Sequence, residues 1–136
     1  PTTKWLWLTG GEPTDHDIAP LLRALRAAGY ATAVATSGAG RVIPPVDWLS
    51  VSPHGNALLQ RYGSELKLVD GLGGLDLERW HDANPDNTTD FMFRYVQPLS
   101  IGRIESASSL RRCMEFLRTR PNWSLSRQDH NYWRVA

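Results

Sequence analysis

Lys4-Trp5-Leu6-Trp7-Leu8-Thr9-Gly10-Gly11-Glu12-Pro13-Thr14-Asp15-His16-Asp17 is the stretch whose reading decides the fold. Trp5 to Leu8 are bulky and apolar without alternation, so neither face is assigned to water, which predicts a strand interior to a parallel sheet. Gly-Gly-Glu-Pro turns the chain, and Thr14 followed by Asp17 has the form of a helix N-cap with an acid in the first turn. Ile18, Leu21, Leu22 and Leu25 then repeat at helical spacing, and Gly29 is placed to end that helix in a left-handed conformation. A strand, a glycine turn and a packed helix open the chain.

Working outward, the unit recurs. Ala31–Thr36, Val46–Ser52, Glu65–Val69 and Phe91–Val96 read as strands, with helices expected over 56–62 and 75–81. Leu110, Cys113, Met114 and Leu117 give a further helix before Pro121, and a short strand is expected over 123–126. This alternation predicts one α/β domain with a parallel sheet. Ligands of such sheets bind beyond the carboxyl ends of the strands, where Gly10-Gly11-Glu12, Thr36-Ser37-Gly38, Ser52-Pro53-His54 and Gln97-Pro98 all fall.

Composition limits the partners. The 136 residues carry 15 Lys plus Arg against 14 Asp plus Glu, a net charge of +1 that provides no overall field for nucleic acid or an anionic membrane. Hydrophobic residues make up 41%, enough for a folded core, and no apolar run approaches the roughly 20 residues of a membrane span. The first residues lack the apolar core of a signal peptide, so a cytoplasmic protein is expected. Cys113 is the single cysteine; it excludes an internal disulfide or an all-cysteine cluster site within these residues, and its place in a helical apolar stripe makes it a buried hydrophobe. His16 between Asp15 and Asp17 reads as a solvated turn, because three successive residues of a helix do not converge on one metal. The arginines of the last helix read as a solvated face.

The turns carry the chemistry. Gly10 and Gly11 permit close backbone approach to a ligand, and the Glu12 carboxylate accepts hydrogen bonds from an amino group. In order along the chain, Trp7-Leu8-Thr9-Gly10-Gly11-Glu12-Pro13, Ala35-Thr36-Ser37-Gly38, Trp48-Leu49-Ser50-Val51-Ser52-Pro53, Glu65-Leu66-Lys67, Val96-Gln97-Pro98-Leu99 and the segment Pro121 to His130 resemble motifs of the 7-carboxy-7-deazaguanine synthases, radical S-adenosylmethionine enzymes of queuosine biosynthesis.

That resemblance implies a partial (βα) barrel-type parallel sheet with outer helices, lacking the family's N-terminal cluster-binding segment. It implies that Gly10, Gly11, Glu12, Thr36, Ser37, Ser52 and His54 bind S-adenosylmethionine, and that Gln97, Gln128 and His130 face a pterin substrate, 6-carboxy-tetrahydropterin. A [4Fe–4S] cluster and Mg2+ belong to the family's chemistry, with an electron donor and a homodimer among its partners. The sequence departs from the family pattern where Ser37 replaces Asn, His54 replaces Lys, Asp129 and Asn131 flank His130, and the closing Gly-Ile-Pro is replaced by Tyr132 to Ala136. The cluster's Cys-x3-Cys-x2-Cys trio is absent. Two other classes stand beside the enzyme: a non-catalytic nucleoside- or pterin-binding homologue, and a generic α/β interaction domain.

Overall fold

The computed structural model describes residues 2–41 and 43–128. Strands β1 (Lys4–Leu8), β2 (Tyr30–Thr36), β3 (Trp48–Val51), β4 (Tyr62–Val69), β5 (Asp90–Gln97) and β8 (Ser124–Leu125) form a six-stranded sheet in the order β1-β2-β3-β4-β5-β8. Every neighbouring pair is parallel. Helices α1 (Ala19–Ala27), α2 (Leu77–Ala83) and α3 (Ala107–Leu117) occupy three of the crossovers. A small antiparallel hairpin of β6 (Ser100–Ile101) and β7 (Ile104–Glu105) precedes α3.

The strand order never reverses, so right-handed crossovers all step the same way and deliver their helices to one face. That face holds the core: Val34, Leu49, Val51, Leu66, Leu68 and Val96 of the sheet pack with Leu22, Leu77, Trp80, Cys113 and Phe116 of the helices. The register places the intervening residues on the opposite face, which no helix of the described residues covers. There Trp5 and Trp7 lie 56% and 52% exposed, Trp48 stacks on Phe93 at 6.0 Å, and Phe93 stacks on Tyr95 at 6.4 Å. The result is an α/β fold of partial barrel type, its helices outside and an aromatic, polar face inside.

Three expectations are corrected. Among the described residues β1 is an edge strand, paired through Lys4–Leu8 to β2, and its apolar residues divide between a core-facing pair, Leu6 and Leu8, and the opposite face carrying Trp5 and Trp7. The first helix begins at Ala19 rather than beside Thr14: Pro13–Asp15 form a 3-10 turn capped by Glu12, and Thr14 is buried with its hydroxyl turned back to that carboxylate. No helix forms over 56–62, because the Leu59 and Gln60 N–H groups donate to the Gly38 carbonyl at 2.8 and 3.0 Å, removing them from any helical ladder. The Gln60 side chain, fully buried, then bridges Ile43 N–H and the Tyr62 carbonyl.

The later helices follow their local chemistry. Asp76 caps α2 by accepting from Arg79 N–H, and Ser106 caps α3 through Ser109 N–H. Ser109 and Cys113 of α3 face the sheet, and the Ser109 hydroxyl donates to the buried Asp70 carboxylate at 2.7 Å while Arg112 pairs with it from outside. That contact fastens α3 to the end of β4. No helix among the described residues is long and apolar enough to cross a membrane.

Candidate functional site

Parallel strands in sequential order gather their outgoing turns on one rim. The turns after β1, β2 and β3 meet there in a cleft of about 230 Å3 lined by Thr9, Gly11, Glu12, Ala35, Thr36, Ser37, Ser52 and His54. Ser52 N–H donates to the Thr36 carbonyl at 2.8 Å, which holds the second and third turns side by side. Gly10 and Gly11 turn the chain out of β1 at positive φ, 81° and 56°, and leave the backbone open to the cleft.

Glu12 organises the site. Its Oε1 accepts from Thr36 Oγ1 at 2.6 Å, Thr14 Oγ1 at 2.9 Å and Thr14 N–H at 3.2 Å, and its Oε2 accepts from Ser37 N–H at 2.7 Å. Burial pushes the carboxyl upward, but hydrogen bonds from the Ser37 and Thr36 side chains and from the Ser37 and Thr14 backbone outweigh it and hold the group at about 2. At neutral pH Glu12 is therefore a fixed anion in a half-buried cleft with Ser52 and His54 opposite. Such a site complements an ammonium group, with hydroxyl and imidazole available to further polar atoms.

Six of the residues singled out from the sequence, Gly11, Glu12, Thr36, Ser37, Ser52 and His54, thus line one cleft, with Gly10 in its turn. Gln97 ends β5 on the same rim but does not line this cleft: its side chain is buried, within 3.5 Å of the Ser126 hydroxyl, and its carbonyl accepts from Asp70 N–H. Gln128 is half-buried just beyond β8. His130 lies outside the described residues.

Sequence reasoning missed several members. Thr14 read as a helix cap, whereas it supports Glu12. Glu65 and Lys67 alternate with the core-facing Leu66 and Leu68, so they project onto the uncovered face, where the Ser50 hydroxyl donates to Glu65 at 2.5 Å. Their two-residue period was the available signal. Among the described residues no group of three or more His, Cys, Asp or Glu is arranged to hold a metal ion.

Sheet, rim and cleft define an α/β protein of partial barrel type with a small polar cleft at the carboxyl ends of its first three strands. Comparison with known proteins narrows this class. No protein-family model matches the chain. It is 34% identical over 133 residues to the 7-carboxy-7-deazaguanine synthase of Burkholderia multivorans, covering 97% of this chain and 60% of that protein. The synthase of Escherichia coli K12 is 32% identical over 143 residues, with 99% and 62% covered. The crystal structure of QueE from Escherichia coli superposes with a TM-score of 0.64 at 28% identity, covering 94% of this chain and 58% of that one. In sequence and fold the chain is similar to the 7-carboxy-7-deazaguanine synthases, and it spans about three-fifths of the length of the curated relatives it matches.

Proposed function

We propose that the cleft holds the amino-acid end of S-adenosylmethionine and that the protein acts in 7-deazapurine biosynthesis, in the conversion of 6-carboxy-tetrahydropterin to 7-carboxy-7-deazaguanine. The observation that carries the reading is the Glu12 carboxylate, kept ionised and aimed into the cleft by donors from two segments of chain, Thr14 and Thr36-Ser37. A carboxylate in that state pairs with the ligand's ammonium group, while the open backbone at Gly10 and Gly11 admits its carboxylate. Ser52 and His54 face the same space and bind the ligand's remaining polar atoms. At about 230 Å3 the cleft is smaller than the roughly 300–1,000 Å3 of a whole drug-sized ligand site, which suits one end of the molecule.

The rest of the ligand and the pterin would extend over the uncovered face. Its stacked Trp48, Phe93 and Tyr95 provide ring surfaces, and Glu65 and Lys67 offer polar atoms to a heterocycle edge. Gln97, Gln128 and His130 are assigned to the pterin by family resemblance.

An iron–sulfur cluster does not fit the residues of this chain. Cys113 is its one cysteine, buried in α3 against the sheet, with a thiol pushed up to about 12 first by burial and then by Asp70. A cluster requires several exposed thiolates. On the enzyme reading its ligands come from outside the 136 residues, and the role of this chain is to bind and orient the two small molecules. The same observation supports a second reading, a homologue that binds nucleoside or pterin without catalysis. Calorimetric titration of the chain and its Glu12→Gln variant with S-adenosylmethionine and with 5′-methylthioadenosine, which lacks the amino-acid end, tests the proposal. Binding of the first ligand, weakened at least tenfold by Glu12→Gln, is expected; equal affinity of wild type and variant overturns it.

A further inference from the structure

Thr14 reaches the site through Glu12. It is buried, it is not part of the cleft wall, and it gives Glu12 Oε1 both its hydroxyl at 2.9 Å and its N–H at 3.2 Å. Its seat is Gly40, in the turn between β2 and β3: a Cβ there would lie 2.1 Å from Thr14 Oγ1 and 2.8 Å from Thr14 Cβ. Unlike the glycines at positive φ, Gly40 is therefore fixed by space rather than by backbone conformation. Thr36 completes the clamp, donating its hydroxyl proton to the same Oε1 at 2.6 Å while accepting from Gly38 N–H at 3.1 Å.

We infer that Thr14, pressed into the space left by Gly40, is a positioning residue that saturates one oxygen of Glu12 and presents the other to an ammonium group in the cleft. This rests on the proposed reading of the cleft. A carboxylate accepts at about four lone-pair sites. Three donors converge on Oε1, whereas Oε2 takes the Ser37 N–H, with the Ser37 hydroxyl beside the same carboxylate, and remains the less committed oxygen. The arrangement fixes a long side chain before the ligand arrives, so less freedom is lost on binding. It also keeps the carboxylate charged although it is half-buried, because the donors stabilise the ionised form. His54 is the titratable side chain sharing the cleft; Asp15 and His16 on the Glu12 turn and Arg41 beyond Gly40 are exposed.

The test uses Thr14→Val, which removes the hydroxyl, Gly40→Ala, which fills the seat, and Thr14→Ser, which restores a hydroxyl. The Glu12 side-chain carboxyl is followed by 13C NMR from about pH 1 to 6, assigned by its loss in Glu12→Gln and distinguished from His54 by its carboxyl chemical shift. Binding of S-adenosylhomocysteine and of 5′-methylthioadenosine is measured by calorimetry at neutral pH. Thr14→Val and Gly40→Ala are expected to raise the Glu12 titration by about one pH unit and weaken S-adenosylhomocysteine by roughly tenfold, with 5′-methylthioadenosine unchanged and Thr14→Ser close to wild type.

A general packing defect would weaken both probes alike without moving the carboxyl, and that result overturns the inference, as does an unmoved titration in a folded Thr14→Val. If either disruptive variant unfolds, Thr14→Ser against wild type decides, and a Glu12 titration shifted upward despite the restored hydroxyl defeats it. Failure of wild type to bind S-adenosylhomocysteine while Glu12 titrates as expected sinks the reading of the cleft, and with it the ammonium presentation, but leaves the clamp demonstrated.

Discussion

Replacing Gly38 by Ala tests whether the β2 turn is as tightly determined as its contacts imply. Gly38 has φ +74°, and a Cβ there would meet Val51 Cγ1 at 2.6 Å and Leu58 Cδ1 at 3.1 Å, both buried. The left-handed backbone costs a non-glycine residue about 1–2 kcal/mol. Forcing a methyl group into a filled core adds about 1–3 kcal/mol, giving about 2–5 kcal/mol together. Against a total of about 5–15 kcal/mol this is a large fraction. At roughly 4 °C per kcal/mol for a chain of this length, Tm falls by roughly 8–20 °C. Gly102 is the control, since it has φ +62° but nothing within 4 Å of a Cβ, and its Ala variant should lose only the backbone part. Thermal and urea unfolding followed by circular dichroism measure both. Because Gly38 also donates to Thr36 Oγ1 and its carbonyl accepts from Leu59 and Gln60, the variant should weaken ligand binding in the cleft as well. A Gly38→Ala protein no less stable than Gly102→Ala would refute the packing argument.

Three further outcomes are expected. Glu12 sits at about 2 in the folded chain against 4.5 ordinarily, so its contribution is complete above pH 4.5 and lost as pH falls toward 2; Glu12→Gln should flatten the acid limb of a stability–pH curve over that window, and an unchanged limb would contradict the hydrogen-bond account. The Cys113 thiol is raised from 9.0 to about 12, so folding is favoured below pH 9 and loses that support as pH rises toward 12; the chain should be inert to a thiol reagent until unfolded, and Cys113→Ala should have a shallower alkaline decline than wild type. β1 carries exposed Trp5 and Trp7 beside an unpaired edge, so the chain should self-associate with rising concentration, and Trp5→Lys with Trp7→Lys should suppress this in sedimentation velocity; a wild-type monomer at all concentrations would count against it.

Much of the site was legible because its residues leave strands in known order. Once Trp5–Leu8, Ala31–Thr36 and Val46–Ser52 read as parallel strands, Glu12, Ser37, Ser52 and His54 had to emerge on a common rim, and they share one cleft. Gln97 followed the same logic to the rim but not into the cleft, since β4 stands between its strand and β3. The roles of individual donors were not legible. Thr14 has the local signature of a helix cap, and only the long-range approach of Thr36 and Gly40 turns it into a buttress for Glu12.

The sequence by itself determined the alternation of strands and helices, the helical stripe that buries Cys113, the glycine turn before Glu12 and the motifs of the family, because these depend on spacing between near neighbours. Tertiary structure decided which strand lies at the edge and which face stays uncovered. Trp5 to Leu8 is apolar on both sides, and composition cannot say whether a tryptophan faces helices or open space; that follows from strand order and crossover handedness, which place every helix behind Leu6 and Leu8. It also decided the state of Glu12, since the donors that hold its charge come from residues up to 25 positions away and converge only when the turns of β1 and β2 are brought side by side.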